Sequence, residues 1–166
     1  MKLEEAKKEF ILLWGNFGSQ WGINKAMAQV HALLLTSDDP LCTDEVMEKL
    51  TISRGGANTS LRELTRWNLI YKVTVDGDRR EFFSAEKDMW NVAKRITRER
   101  KRREIEPLIL HLDRLKSIDE QNESTANFVG IVEDIERLVT RMDKFSEMLM
   151  KLEENAFFGS LLRMKK

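Results

Sequence analysis

The stretch from Cys42 to Ser84 constrains the fold more than any other part of the chain. Thr43 is placed to cap a short helix, with Asp44 and Glu45 in its first turn and Val46, Met47 and Leu50 on its inner face. Thr51-Ile52 reads as a tight turn, and Ser53 caps a helix predicted to run to about Trp67. Ala57, Leu61 and Leu64 recur at i, i+4 and i+7 within it, so they share one buried face. Two β-prone runs follow, Ile70–Val75 and Glu81–Ser84, separated by Asp76-Gly77-Asp78-Arg79-Arg80. An Asp-Gly pair between such runs supplies the positive backbone angles of a tight hairpin. Helix, turn, helix and a basic hairpin, in that order, predict a winged helix-turn-helix.

Around this stretch the chain reads as helix. Leu3, Ala6, Phe10, Leu13 and Phe17 alternate spacings of three and four, which predicts a first helix over 3–21 with those residues inward, stopped by Gly22. Asn24 caps a second helix to about Thr36, with Ile23, Met27, Val30 and Leu34 on one face. Residues 86–116 also look helical, with Met89, Ala93 and Ile96 on one face and Pro107 as a kink or a new start. Ser117–Ser124 is a polar loop. Phe128, Ile131, Ile135, Leu138, Met142, Phe145, Leu149 and Leu152 then follow a 3-4-3-4-3-4-3 spacing. That is a heptad seam of nearly four repeats, and Val132 and Val139 widen it toward a multi-helix bundle. Residues 157–162 form an apolar tail expected to dock on another surface. The fold class is therefore mainly α with a small β-hairpin wing. The expected domains are an N-terminal helix at 1–21, a winged helix-turn-helix at 22–85 and a helical dimerisation region at 86–166.

The net charge of zero hides a pattern. Residues 1–50 carry five basic and eight acidic side chains, residues 51–104 fourteen and eight, and residues 105–166 nine and twelve. The middle segment, at +6 between flanks of −3 each, is where a polyanion would be met. Seven of the ten residues from Lys94 to Arg103 are basic, and they read either as phosphate contacts or as ion-pair partners of Glu99, Glu104 and Glu106. The single cysteine, Cys42, excludes an internal disulfide and suits a reducing cytosol, so a cytoplasmic location is expected. No run is long and apolar enough to span a membrane, and the N-terminus lacks a signal-peptide core. His31 and His111 lack partners at metal-ligand spacing, and no nucleophile–base set or phosphate loop stands out, so neither a metal, a cofactor nor catalysis is expected. Trp14, Trp21, Trp90 and Tyr71 are expected in the core rather than in an aromatic cage.

With the second helix of the pair buried through Ala57, Leu61 and Leu64, its other side presents Gly55, Asn58, Thr59 and Arg62, with Ser53 and Arg54 at the N-terminal tip. Asn suits adenine and Arg suits guanine in a major groove, while Arg79 and Arg80 at the hairpin tip, with Lys72 on its first strand, suit phosphate or minor groove. Double-stranded DNA is the expected partner. A second copy of the chain is expected along the seam from Phe128 to Leu152, because 166 residues offer few helices to cover so long a stripe, and two-fold symmetry would also set two such helices about one DNA turn apart. An adaptor that binds proteins through the same fold is the alternative.

These residues also resemble a known family. Leu41–Leu64, with its Ser-Arg-Gly-Gly-Ala-Asn-Thr-Ser-Leu-Arg-Glu-Leu segment, leads to Trp67-Asn68-Leu69-Ile70, then Gly77-Asp78-Arg79-Arg80-Glu81-Phe82-Phe83, then the Arg-rich run into Glu106-Pro107. This ordered set looks like the GbsR-type branch of the MarR-like transcriptional regulators, best over residues 22–107. The resemblance implies a homodimeric winged-helix repressor or activator on pseudo-palindromic operators. Residues 53–66 would be its recognition helix and 76–80 its wing tip. Some family members sense choline-like osmolytes. No ligand motif matches here, so any small-molecule effector is of unknown identity.

Overall fold

The computed structural model describes residues 1–20 and 22–152, without the side chain of Leu152. Trp21 and the apolar tail at 157–162 lie outside the described residues. The order is α1 (Leu3–Gln20), α2 (Lys25–Thr36), β1 (Leu41–Cys42), α3 (Thr43–Leu50), α4 (Arg54–Arg66), β2 (Ile70–Val73), β3 (Phe82–Ala85), α5 (Met89–Arg100), a π-helical turn (Lys101–Ile105), α6 (Glu106–Leu115) and α7 (Glu123–Leu152). The chain divides into two compact units, Met1–Ile96 and Thr97–Lys166.

In the first unit, α2, α3 and α4 close a core with the sheet. Val30, Leu34, Val46, Leu61, Leu64, Leu69, Ile70 and Phe83 meet there. The sheet is antiparallel in the order β1-β3-β2, with Ile70 opposite Ala85, Val73 opposite Phe82, and Leu41 opposite Phe83. The winged helix-turn-helix expected from sequence is present, with one strand more than the hairpin. Asn24 caps α2 as expected, its Oδ1 accepting from Met27 N at 3.2 Å. Gly22 ends α1's turn at φ +76. The far end of α2 is closed by a side chain: Lys87 Nζ donates to the carbonyls of Leu34, Leu35 and Ser37 at 2.9, 2.7 and 2.8 Å. Those are the carbonyls a helix C-terminus leaves without an internal donor.

Several local expectations change. The helix α3 is capped by Cys42 rather than Thr43, and Glu45 Oε2 accepts from Cys42 N at 2.8 Å, which holds the Glu45 carboxyl below its ordinary range. The inward face of α1 is not Leu3, Leu13 and Phe17, which are 47–68% exposed. It runs through half-buried Ile11 and Trp14 and buried Gly15 and Gly18. A Cβ at Gly15 would sit 2.6 Å from Gln29 Cγ, and one at Gly18 2.7 Å from Ala28 Cβ. The two glycines therefore let α1 lie closer to α2 than any side chain would allow. On α5 the inner residue is Val92, fully buried, with Ile96 partly so, while Met89 and Ala93 face solvent. Trp90 and Tyr71 are about two-fifths exposed rather than in the core. Trp14 stays in the aromatic layer, 5.6 Å from the Phe10 ring and 6.2 Å from His31. His31 is buried, and its Nε2 has no hydrogen-bond partner among the described residues.

The expected helix over 86–116 is interrupted by the π-helical turn just before Pro107. Proline lacks the N–H that would continue the α ladder and its ring crowds the preceding turn, so a widened turn relieves both.

In the second unit, Asn122 Oδ1 accepts from Thr125 N at 2.9 Å and starts α7. Leu112 on α6 and Val132 on α7 are its buried apolar side chains among the described residues. Lys116 Nζ reaches Glu136 Oε2 at 2.7 Å, and Lys101 Nζ pairs with Asp143 at 2.8 Å and with Glu147. The heptad seam points elsewhere: Phe128, Ile131, Ile135, Leu138, Met142, Phe145 and Leu149 are 43–64% exposed. No helix among the described residues is long and apolar enough to cross a membrane.

Candidate nucleic-acid interface

The helix-turn-helix is built by short-range rules. Thr51 takes a left-handed conformation, φ 54, and Ile52 N donates to Met47 O at 3.2 Å, which turns the chain sharply out of α3. Ser53 then caps α4, its Oγ accepting from Gly56 N at 3.2 Å. Ala57, Leu61 and Leu64 are buried, as their spacing requires. Gly55, Asn58, Thr59 and Arg62 are consequently exposed, with Ser53 and Arg54 at the tip. A side chain at Gly55 would meet nothing within 4 Å, so this glycine is not demanded by the protein's own packing.

The cations on this surface are not equivalent. Arg62 makes no hydrogen bond or ion pair among the described residues, whereas Arg54 Nη2 lies 2.5 Å from Asp44 Oδ1 of α3. On the hairpin, Gly77 supplies the positive φ, +81, and Arg79 is exposed, its side chain unpaired among the described residues. Arg80 folds back on Asp78, with Nη2–Oδ2 at 2.5 Å and Nε within 3.1 Å of both oxygens, over the Phe82 ring at 5.3 Å. Its bonds hold the Asp78 carboxyl down to about 2, so that carboxylate stays ionised through the neutral range. Lys72 Nζ pairs with Glu81 Oε1 at 2.6 Å across the hairpin, both more than half exposed. Arg54, Lys72 and Arg80 would each exchange a carboxylate for any phosphate they met. Arg62 and Arg79 would not.

The basic run beyond the hairpin is largely occupied. Arg100 pairs with Glu104, Arg102 and Arg103 with Glu99, Lys101 with Asp143 and Glu147, and Arg95 with Glu86. Most of the basic side chains of the middle segment are thus paired with carboxylates, while Arg62 on α4, Arg79 on the wing, and Lys94 and Arg98 on α5 make no ion pair among the described residues. Sequence spacing did not reveal the acidic partners Asp44, Asp78 and Glu81. Only Asp78, two residues before Arg80, lies close enough in sequence to have been a signal.

Among solved structures, a transcriptional regulator aligns over 86% of this chain and 99% of its own, at 18% identity and a TM-score of 0.57. The two chains share a fold. MepR from S. aureus in a DNA-binding conformation aligns over 95% of this chain and 94% of its own, but at 16% identity and a TM-score of 0.41. An S. aureus MepR variant bound to an oligodeoxyribonucleotide aligns over 89% of this chain and 92% of its own, at 15% identity and the same TM-score. No protein-family model matches the chain, and no curated protein matches it by sequence.

Proposed function

We propose that this chain is a sequence-specific, DNA-binding transcriptional regulator of the MarR-like, GbsR-type kind, acting in the cytoplasm as a homodimer. The observation that carries the reading is the exposed face of α4: Asn58, Thr59 and Arg62 turn outward from a buried apolar face, and Arg62 is unpaired among the described residues. Asn and Arg at such positions read adenine and guanine by paired hydrogen bonds in a major groove. Ser53, Arg54 and Gly55 supply the close approach at the helix tip. Arg79, with Arg80 and Lys72, lies along backbone phosphates or in the minor groove. Fold alone does not give function; it is the chemistry of this surface that favours duplex DNA over a protein partner. The unpartnered seam from Phe128 through Leu149, with Leu152 continuing its spacing, is where a second copy pairs, so that two recognition helices meet one operator about 34 Å apart.

Mobility-shift titration at low and raised salt tests the reading. Duplex binding should weaken as salt rises, and Arg79→Ala should lower the salt slope by about one phosphate contact, about 0.9 in log–log units. Absence of duplex binding at low salt would overturn the proposal, and a stoichiometric protein partner in its place would establish the adaptor.

A further inference from the structure

Arg95 belongs by sequence to the basic run, yet its guanidinium is turned toward the base of the wing. It bonds the carbonyl of Asn68 and the hydroxyl of Tyr71, lies 3.0 Å from Glu86 Oε2, and stacks over the Tyr71 ring at 5.4 Å. Tyr71 OH donates to the same Glu86 oxygen at 2.8 Å. The other Glu86 oxygen accepts from Asp88 N at 3.0 Å, and these bonds hold its carboxyl below the ordinary range. Side-chain exposure is only 24% for Arg95 and 17% for Glu86, so solvent and salt screen the pair less than they screen the wing-tip pairs.

The three anchors come from different places. Asn68 leaves the end of α4 in a left-handed conformation, φ 57; Tyr71 sits on β2; Glu86 follows β3. One planar, five-donor group therefore ties the exit of the recognition helix to both strands of the hairpin, and a lysine ammonium cannot reproduce that fork. The strands need such a tie. They pair over four residues, β2 has no neighbour but β3 among the described residues, and the wing tip extends eight residues beyond them, from Thr74 to Glu81.

Building on the proposed DNA reading, we propose that Arg95, with Tyr71 and Glu86, is a positioning residue for the wing: it fixes the hairpin at its base relative to α4, so that Arg79 reaches the backbone while Arg62 is in the groove. Arg95 itself does not touch DNA.

Two measurements test this, on Arg95→Met, Arg95→Lys and Tyr71→Phe. In the protein without DNA, amide exchange in the hairpin should quicken about five- to thirtyfold in Arg95→Met, while the amides of Ala57 and Leu61 keep their rates. Unchanged hairpin exchange would overturn the positioning role whether or not the protein binds DNA. The second measurement uses a fluorescein-labelled duplex enriched by the wild-type protein from a random pool. Arg95→Met and Arg95→Lys should weaken binding alike, and Tyr71→Phe less. In an Arg79→Ala background, Arg95→Met should then cost little further, because it acts through the wing already removed. If Arg95→Lys restores binding, or if Arg95→Met and Arg79→Ala add fully, Arg95 is a phosphate contact and the proposal fails. Failure of the wild-type protein to enrich any duplex would instead refute the DNA reading and the DNA part of this proposal with it, leaving the exchange result to decide whether the network holds the wing.

Discussion

The two units of the chain treat their apolar residues in opposite ways. In Met1–Ile96 the periodic residues of α2, α3 and α4 meet one another and the sheet, and Val30, Val46 and Ala57 have no exposure left. In Thr97–Lys166 the most regular pattern of the whole sequence, the heptad seam of α7, stays on the surface, while Val132 and Leu112 do the inward packing. The core of the first unit is closed by its own elements, and its exposed apolar residues include Leu3, Leu12, Leu13 and Phe17 of α1. In the second unit the seam stays exposed among the described residues, and an apolar stripe of that length is the surface offered to the proposed second copy. The same periodic signal thus lies in a core in one place and on a surface in another, according to how many neighbouring elements pack on it.

The contrast is broken most severely at the seam. Replacing both Ile135 and Leu138 with Asp should forfeit roughly 3–6 kcal/mol of apolar burial per proposed dimer, since each side chain is already about half buried in the single chain. Light scattering should show the mass falling to that of one chain, with the unfolding of the first unit unmoved. An unchanged mass would place the interface elsewhere. In the first unit, Leu64→Ala should do the reverse. It removes a side chain that is 1% exposed, so urea unfolding should show a loss of about 2–5 kcal/mol with the mass unaltered.

His31 gives the first unit a pH dependence of its own. Burial, and next the positive charge of Lys87, bring its imidazole from 6.5 down to about 4. Between those values the unfolded chain binds the proton and the folded one does not, so the contribution is whole above pH 6.5 and is lost as pH falls toward 4. At about 1.4 kcal/mol per pH unit the loss is about 3 kcal/mol. His31→Leu should remove that part of the slope in denaturant titrations, and an identical slope in the variant would mean that the histidine is solvated in the native state. The smallest effect concerns the surface alone. Arg62→Ala should cost about 1–3 kcal/mol of affinity for a selected duplex, with loss of preference at one base pair and no change in stability or mass.

What could be read in the sequence depended on whether the cause was local. The inner face of α4 was legible because Ala57, Leu61 and Leu64 obey one period, and the caps at Asn24 and Ser53 because a cap is a contact three residues long. The face of α1 was misread because its buried positions include Gly15 and Gly18, which carry no hydrophobic signal and act through closeness rather than bulk. Strand β1 is two residues long, too short for any period to show. For the candidate site, the outward residues of α4 followed from its inner ones. The division of the cations into occupied and unoccupied did not, since Arg54 finds Asp44 ten residues away and Arg95 finds Asn68 across twenty-seven. A run of basic residues overstated how many cations stand free, because folding pairs most of them with carboxylates.

In the proposed function, α4 and the wing read duplex DNA in two-fold register. Selection of bound sequences from a random duplex pool by the full chain addresses it most directly. An inverted repeat should be enriched, its half-sites centred about 10 base pairs apart. Failure to enrich any sequence over the input pool, or enrichment of a single unpaired motif, would contradict it.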